Sequence, residues 1–311
     1  MSLIFITGGA GFIGYQLQKQ LDGKFDVNAI DLLSPNNKAG TFRSANLKNI
    51  EEGDIANTFL DNLNTKPDVL IHLAAETGIS GSLINPAKYF ETNLHGTFNV
   101  LEQCRKNGVK HLIYASSSSV YSPNQQLMSE ESNTQSQLSF YGTSKKMSEV
   151  MIENYCAQFG LIAIGLRFFT VYGSWTRPDM AAYKFMSNID KGLPINIYNK
   201  GNVYRDFTHV SDIIKAIELL INKIQFEKIG THKIFNIGLG SPISVLQYAK
   251  LIAQSIGKEP KINFTNLPDN ELISTYSNTN KLEQYIQFKP ECKIEDGINE
   301  MVAWYKNNSY E

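Results

Sequence analysis

Leu3-Ile4-Phe5-Ile6-Thr7-Gly8-Gly9-Ala10-Gly11-Phe12-Ile13-Gly14 is the stretch that decides the fold. An apolar run makes a short buried strand, and Gly8, Gly11 and Gly14 follow at a G-x-x-G-x-x-G spacing. Ile13, Leu17 and Leu21 then continue at helical spacing. Glycines in such a strand-to-helix turn let it close, let a pyrophosphate approach the backbone, and let the helix start tight against the sheet. A second strand, Val27 to Ile30, ends in Asp31, about where a carboxylate would bind the adenosine ribose 2′-hydroxyl. A carboxylate there repels a 2′-phosphate, so the expected cofactor is NAD and not NADP.

Strand-like and helical runs alternate from there. Pro67 to Ala75 reads as a buried strand, Tyr89 to Lys106 as a helix, and Val109 to Ala115 as the next strand. A helix from about Tyr141 to Phe159 and a strand from Leu161 to Phe169 follow. This rhythm predicts an α/β fold, a Rossmann-type doubly wound parallel sheet with ligands beyond the strand C-termini. It breaks after Tyr172-Gly173. Helix Val210 to Lys223 and strand Lys233 to Ile237 read as a return to the main sheet. The expected division is a nucleotide-binding domain of residues 1–173 and 208–238, with a smaller, mostly C-terminal substrate lobe of 174–207 and 239–311.

The chemistry is carried by Tyr141-Gly-Thr-Ser-Lys145 and by Ser116-Ser117-Ser118-Ser119 at the end of the strand before it. A tyrosine four residues before a lysine shares its helix face. The ammonium of Lys145 favours the phenolate of Tyr141, and a hydroxyl from the serine run holds the substrate oxygen that exchanges the proton. With a hydride acceptor nearby, this is a site for oxidising an alcohol.

An apolar fraction of 42% and a charged fraction of 19% are those of a soluble globular protein. The net charge of −1 argues against nucleic acid or an anionic membrane as the main partner. Cys104, Cys156 and Cys292 are odd in number and far apart, which suggests packed, reduced thiols in a cytoplasmic protein. No signal peptide or membrane-spanning run is read from the sequence. The five histidines show no ligand spacing, His72 and His111 lie in strand patterns, and no metal is expected.

Together these features resemble the extended short-chain dehydrogenase/reductase family across essentially the whole chain. The match includes Thr7–Gly14, Asp31, Asp54-Ile55, Leu73-Ala-Ala75, the serine run with Val120-Tyr121, Tyr141/Lys145 and Arg205-Asp206-Phe207. The resemblance implies that Phe12 and Ile13 join the glycines and Leu73, Ala74 and Ala75 in the cofactor site. Asp54 and Ile55 would flank the adenine, and Lys145 would also bind the nicotinamide ribose. Ser117 stands at the family's catalytic Ser/Thr, with Ser118 and Ser119 beside it, and Arg205 would sit at the nucleotide diphosphate of the substrate. Sugar dehydratases of this kind place acids in the serine run. Here it is all hydroxyl, which argues for hydride transfer and return, an epimerisation.

Leu166 to Gly173 and Arg177-Pro-Asp-Met180 look most like UDP-glucuronate 4-epimerases. Oxidising C4 of a uronate makes a β-keto acid prone to lose CO₂, and Thr170 with the serine run would hold its carboxylate out of alignment. Arg177 would anchor the nucleotide or the ring, and Asp269 the uridine. One departure matters: Ser80-Gly81-Ser82 stands where those epimerases usually carry Arg-Tyr-Ser, so a cation is missing. A UDP-hexose or UDP-N-acetylhexosamine 4-epimerase, a C4 dehydrogenase or reductase, and an NAD-sensing protein remain as alternatives. The family also implies a homodimer, built on the helices around residues 89–106 and 141–159.

Overall fold

In a computed structural model, the described residues (1–33, 40, 43–57 and 66–308) divide into two compact units. The first comprises Met1–Pro123, Glu130–Phe168 and Ile214–Phe235; the second comprises Asn124–Ser129, Phe169–Ile213 and Asn236–Glu311. Both are discontinuous. The chain leaves the first unit after Phe168, five residues before the Gly173 boundary read from sequence. The reason lies in pairing: Thr170–Tyr172 (β7) makes a parallel pair with Phe207–His209 (β10) and does not extend the main sheet.

The first unit is built on a seven-stranded sheet. It contains β1 (Leu3–Thr7), β2 (Asp26–Asp31), β3 (Ile50–Glu52), β4 (Val69–His72), β5 (His111–Ser117), β6 (Ile162–Phe168) and β11 (His232–Ile237), in the order β11-β6-β5-β4-β1-β2-β3. The pairings from β3 through to β6 are parallel. Strand order reverses between β1 and β4, so their C-terminal ends frame the crevice in which such sheets bind ligands. The four residues of β4 are all buried. That is why its sequence is a continuous apolar run and not an alternation.

Local chemistry sets the helix ends that matter here. Ser139 caps the helix Phe140–Phe159 by accepting from the Gly142 amide at 3.1 Å, and Gly160, at φ +71°, closes it. Gly108, at φ +67°, ends Gly96–Asn107 in the same way. The sequence reads residues 89–106 as one helix. In the structure a short helix, Pro86–Tyr89, passes into a π-helical turn, Phe90–His95, before Gly96. Such a turn widens the backbone ladder and frequently marks a functional position.

The second unit has its own core, in which the Phe207 and Tyr248 rings stack with centroids 3.9 Å apart. Its polar organiser is Asp206, which is fully buried. Its carboxylate accepts from the amides of Leu239 (3.0 Å), Gly240 (3.1 Å) and Ser277 (3.0 Å), and from Ser277 Oγ (2.5 Å). Truncating it strands four donors at once, the two of Ser277 buried and those of Leu239 and Gly240 partly buried. Asp206→Ala is expected to destabilise the fold by about 3–5 kcal/mol, checked by urea denaturation. A loss below about 1 kcal/mol would show that water replaces the carboxylate.

Candidate active site

The glycine turn is held by the backbone. Both Gly8 N–H and Gly9 N–H donate to Ile30 O, at 2.8 and 3.1 Å. Gly8 lies at φ +76°, and a Cβ there would stand 2.6 Å from the Ala74 amide nitrogen. A Cβ on Gly14 would collide with the Gly8 carbonyl. The turn therefore packs backbone on backbone against Leu73-Ala74-Ala75. The helix Phe12–Leu21 begins after Gly11 with no side-chain cap. Uncapped amides behind a glycine turn fit a pyrophosphate, so these residues suit a dinucleotide.

Asp31, at the end of β2, accepts from the Ala10 amide at 2.8 Å. Burial pushes its carboxyl up, while the Ala10 amide and the nearby Arg43 guanidinium oppose that shift. Arg43 is buried and donates to Ala10 O at 2.6 Å, so the Ala10 peptide is gripped by an acid on one side and a base on the other. The sequence reading missed Arg43. Its only signal was a lone arginine twelve positions after the strand-end acid.

Asp54 and Ile55 act locally. Asp54 accepts from the Ala56 amide at 2.9 Å and from Asn57 Nδ2 at 2.8 Å. Ile55 is buried, and a Cβ on Gly96 would run into it.

Tyr141, Lys145 and Glu149 recur every fourth residue on the helix Phe140–Phe159 and face the end of β5. Lys145 Nζ donates to Ala115 O at 3.0 Å. Glu149 accepts from Ser116 Oγ at 2.7 Å and from Arg167 Nε and Nη2, both at 2.8 Å. Register explains the trio, because Ser116 and Arg167 are direct partners across β5 and β6. The helix is thus stapled to two consecutive residues of the strand. Burial, the largest single influence, raises the Glu149 carboxyl, but the hydrogen bonds and charge of Arg167, the Ser116 hydroxyl and the Lys146 charge together hold the group below its usual range.

The same face sets the serine run. A Cβ on Gly142 would overlap the Ser119 carbonyl, so the first turn of the helix lies directly against that run. Ser117 Oγ accepts from the Ser119 amide at 3.1 Å, which uses a lone pair and leaves its O–H to donate. Ser118 and Ser119 form a 3₁₀ turn with Val120 and are partly exposed. The Lys145 ammonium and the first turn of the helix that carries Tyr141 therefore lie against Ala115 and Ser119, the residues that flank the Ser116–Ser118 stretch.

Two further residues organise this centre. Asn93, in the π-helical turn, accepts from the Glu76 amide at 2.8 Å and donates to Glu76 O at 3.0 Å and to Ser144 Oγ at 2.9 Å, one residue before Lys145. Tyr89 packs edge-on against the Tyr141 ring at 6.2 Å, and its hydroxyl reaches the carbonyls of Thr77 (2.7 Å) and Gly78 (2.9 Å). Tyr89 Oη would lie 2.5 Å from a Cβ on Gly81. Tyr89 thus closes the space over Gly81, next to Ser80 in the segment where the cation is absent.

The remaining predicted residues lie in the second unit. The Thr170 amide donates to Asp206 O at 3.0 Å within the β7–β10 pair. Arg177 makes a two-point ion pair with Asp179, at 2.9 and 2.8 Å. Arg205 is mostly buried and donates to Glu271 Oε2 at 2.9 Å and to Tyr204 O at 2.9 Å. Asp269 is exposed; the acid that meets Arg205 is Glu271, two residues later. Among the described residues, no group of His, Cys, Asp and Glu has the arrangement of a metal site.

Residues 4–238 match the model of the NAD dependent epimerase/dehydratase family. Protein CapI of Staphylococcus aureus is 37% identical over 97% of this chain and 98% of its own. A probable UDP-glucuronate 4-epimerase of Rhizobium meliloti is 32% identical over 97% of this chain and 96% of its own. The UDP-glucuronic acid 4-epimerase of Bacillus cereus, solved with UDP-glucuronic acid and NAD, superposes with a TM-score of 0.90 at 29% identity, covering 98% of this chain and 99% of its own.

Burial holds the Lys145 ammonium down to about 8. The charged form, expected from the sequence to assist Tyr141, therefore predominates below that pH and is lost above it. In initial-rate measurements over about pH 6 to 10, kcat/KM for an alcohol substrate should fall as pH rises through about 8. A level profile to the top of that range would show that the charge is not used.

Proposed function

This chain belongs to the NAD-dependent epimerase/dehydratase family, and we propose that it is a UDP-glucuronate 4-epimerase working through a transient 4-keto sugar. The observation that carries this reading is the end of β5. There Tyr141 and Lys145 meet a serine run without an acid, and the nearby carboxylate, Glu149, is already engaged by Arg167 and Ser116. Elimination of water needs a second acid/base at the sugar. Hydride removal and return does not.

Bound NAD⁺ supplies reversible acceptance of the C4 hydride; the protein supplies the rest. Tyr141, as phenolate beside the Lys145 ammonium, takes the C4 hydroxyl proton, and Ser117 donates to the oxygen as it becomes a ketone. The 4-keto sugar turns over, and Tyr141 returns the proton as the opposite face is reduced. No net redox change occurs, so the cofactor stays bound. Thr170, Ser118 and Ser119 are assigned to holding the uronate carboxylate out of line with the C4 ketone, which suppresses loss of CO₂. Arg205 and Arg177 are assigned to the UDP diphosphate, and Asp269 to the uridine.

A second reading, a neutral UDP-hexose or UDP-N-acetylhexosamine 4-epimerase, is favoured by the Ser80-Gly81-Ser82 segment, which carries no cation and packs against Tyr89 at Gly81. Proton NMR separates the two. Purified protein without added cofactor is expected to convert UDP-glucuronate to UDP-galacturonate, leaving UDP-glucose and UDP-N-acetylglucosamine unchanged. Turnover of only a neutral sugar selects the second reading, while a requirement for free NAD⁺ with NADH accumulating selects a dehydrogenase. Tyr141→Phe should lower kcat by about 100-fold to 10,000-fold with the fold intact.

The protein is further proposed to be a cytoplasmic homodimer. Supporting this, Cys104, Cys156 and Cys292 are free thiols, and Phe98 (44%), Met147 (45%) and Val150 (54%) leave apolar surface exposed on the helices Gly96–Asn107 and Phe140–Phe159. Among the described residues no helix is long and apolar enough to cross a membrane. Val150→Glu is expected to shift the sedimentation coefficient to that of a monomer; an unchanged value places the contact elsewhere.

A further inference from the structure

His72, the last residue of β4, is buried among hydroxyls and is not used by the mechanism above. Its Nδ1 lies 2.7 Å from Thr7 Oγ1 and its Nε2 lies 3.1 Å from Thr97 Oγ1. Proton bookkeeping fixes the direction of both bonds. Thr97 Oγ1 is 2.6 Å from the Asn93 carbonyl, which only accepts, so the single hydroxyl proton of Thr97 goes there. Thr97 must then accept from His72, which places the imidazole proton on Nε2. Nδ1 is left as an acceptor for Thr7 O–H, and Thr7 Oγ1 in turn accepts from the Ala74 amide at 3.3 Å.

A one-way chain results: Ala74 N–H to Thr7, Thr7 to His72, His72 to Thr97, and Thr97 to Asn93 O. One end is the backbone packed against Gly8 in the nucleotide turn. The other is the π-helical turn, where Asn93 Nδ2 donates to Ser144 Oγ at 2.9 Å and Ser148 Oγ shares its proton between Ser144 O (2.9 Å) and Asn93 O (3.1 Å), both serines lying on the Tyr141 helix. We infer that His72 is a positioning residue: a neutral, single-tautomer connector that keeps the floor of the cofactor site in register with the helix carrying Tyr141 and Lys145.

Protonation would destroy the chain. A hydrogen on Nδ1 would face Thr7 Oγ1 and displace the fully buried Thr7 proton from its acceptor. It would also put a second cation near Lys145. The groups facing the ring are the Thr7 and Thr97 hydroxyls, from β1 and from the helix Gly96–Asn107, and the charge that bears on it is Lys145, from the helix Phe140–Phe159. Burial, followed by the Lys145 charge, holds the imidazole down to about 3, so it stays neutral wherever the enzyme is folded and active.

The tautomer can be read with no substrate present, independently of the epimerase reading; only the kinetic arm rests on that reading. In protein labelled with ¹⁵N-histidine, long-range proton–nitrogen correlation should show His72 as a neutral Nε2–H imidazole whose shifts do not move between about pH 5.5 and 9. The resonance is assigned by its absence from His72→Gln. An Nδ1–H tautomer, or titration near the ordinary histidine value, overturns the proposal. In the kinetic arm, His72→Phe, which fills the space but breaks the chain, should lose about 10-fold to 100-fold in kcat. It should also lose NAD on gel filtration. His72→Gln, which keeps an amide donor and an acceptor, should recover part of both while leaving the limbs of the pH–rate profile in place. Wild-type kcat and NAD content in His72→Phe, or disappearance of a pH limb in His72→Gln, would equally refute the positioning role.

Discussion

The docking of the helix Phe140–Phe159 onto the end of β5 is the interaction on which the site depends. Lys145 holds Ala115 O, and Glu149 holds Ser116 Oγ while bound at two points by Arg167. A buried carboxylate is costly to desolvate unless paired and hydrogen-bonded, and here both oxygens are satisfied. The consequence for chemistry is geometric. The helix is anchored at two consecutive strand residues, Ala115 and Ser116, so the Lys145 ammonium is fixed against β5. The buried ion pair sets position, and position sets what the tyrosine can do.

The nucleotide side obeys a different constraint, the close approach of backbone to backbone. Gly8, Gly14 and the Leu73–Ala75 segment are packed so that no Cβ fits at either glycine. Close packing of this kind transmits displacement and does not absorb it. The hydroxyl–imidazole chain through His72 extends the same rigidity across the sheet to Asn93, whose side chain grips Glu76 and Ser144. The backbone at Ala74 and the helix Phe140–Phe159 are therefore joined through hydrogen-bonded polar groups, of which Thr7, His72, Thr97, Asn93 and Ser144 are buried. An apolar core would fill the same space without fixing a direction.

In the second unit the buried Asp206 carboxylate is held by backbone amides and a hydroxyl. Asp206 collects backbone amides from Leu239, Gly240 and Ser277, and so ties together segments distant in sequence. Its neighbour Arg205 is held by Glu271, and Arg177 by Asp179. Each cation assigned to the substrate already has an anionic partner in the free protein. A diphosphate must compete with those carboxylates or share the guanidinium with them.

Periodicity and local turn chemistry were readable in the chain. The glycine spacing, Asp31 at a strand end, the alternation of strands with helices, and Tyr141 four residues before Lys145 all depend on residues close in sequence. Their geometry is set by backbone dihedrals alone. What the sequence could not disclose is whatever depends on register between distant segments. Arg167 reaches Glu149 because β6 pairs with β5 opposite Ser116. His72 has one tautomer because β1 and the helix Gly96–Asn107 each present a hydroxyl to it. Arg205 meets Glu271, which lies 66 residues away in the sequence. The tyrosine over Gly81 and the π-helical turn at Asn93 belong to the same class. Sequence determined which groups are present and which share a face. Tertiary structure alone decided which of them meet, because hydrogen bonds and ion pairs act only at contact distance, and contact between distant segments is fixed by the packing of the sheet.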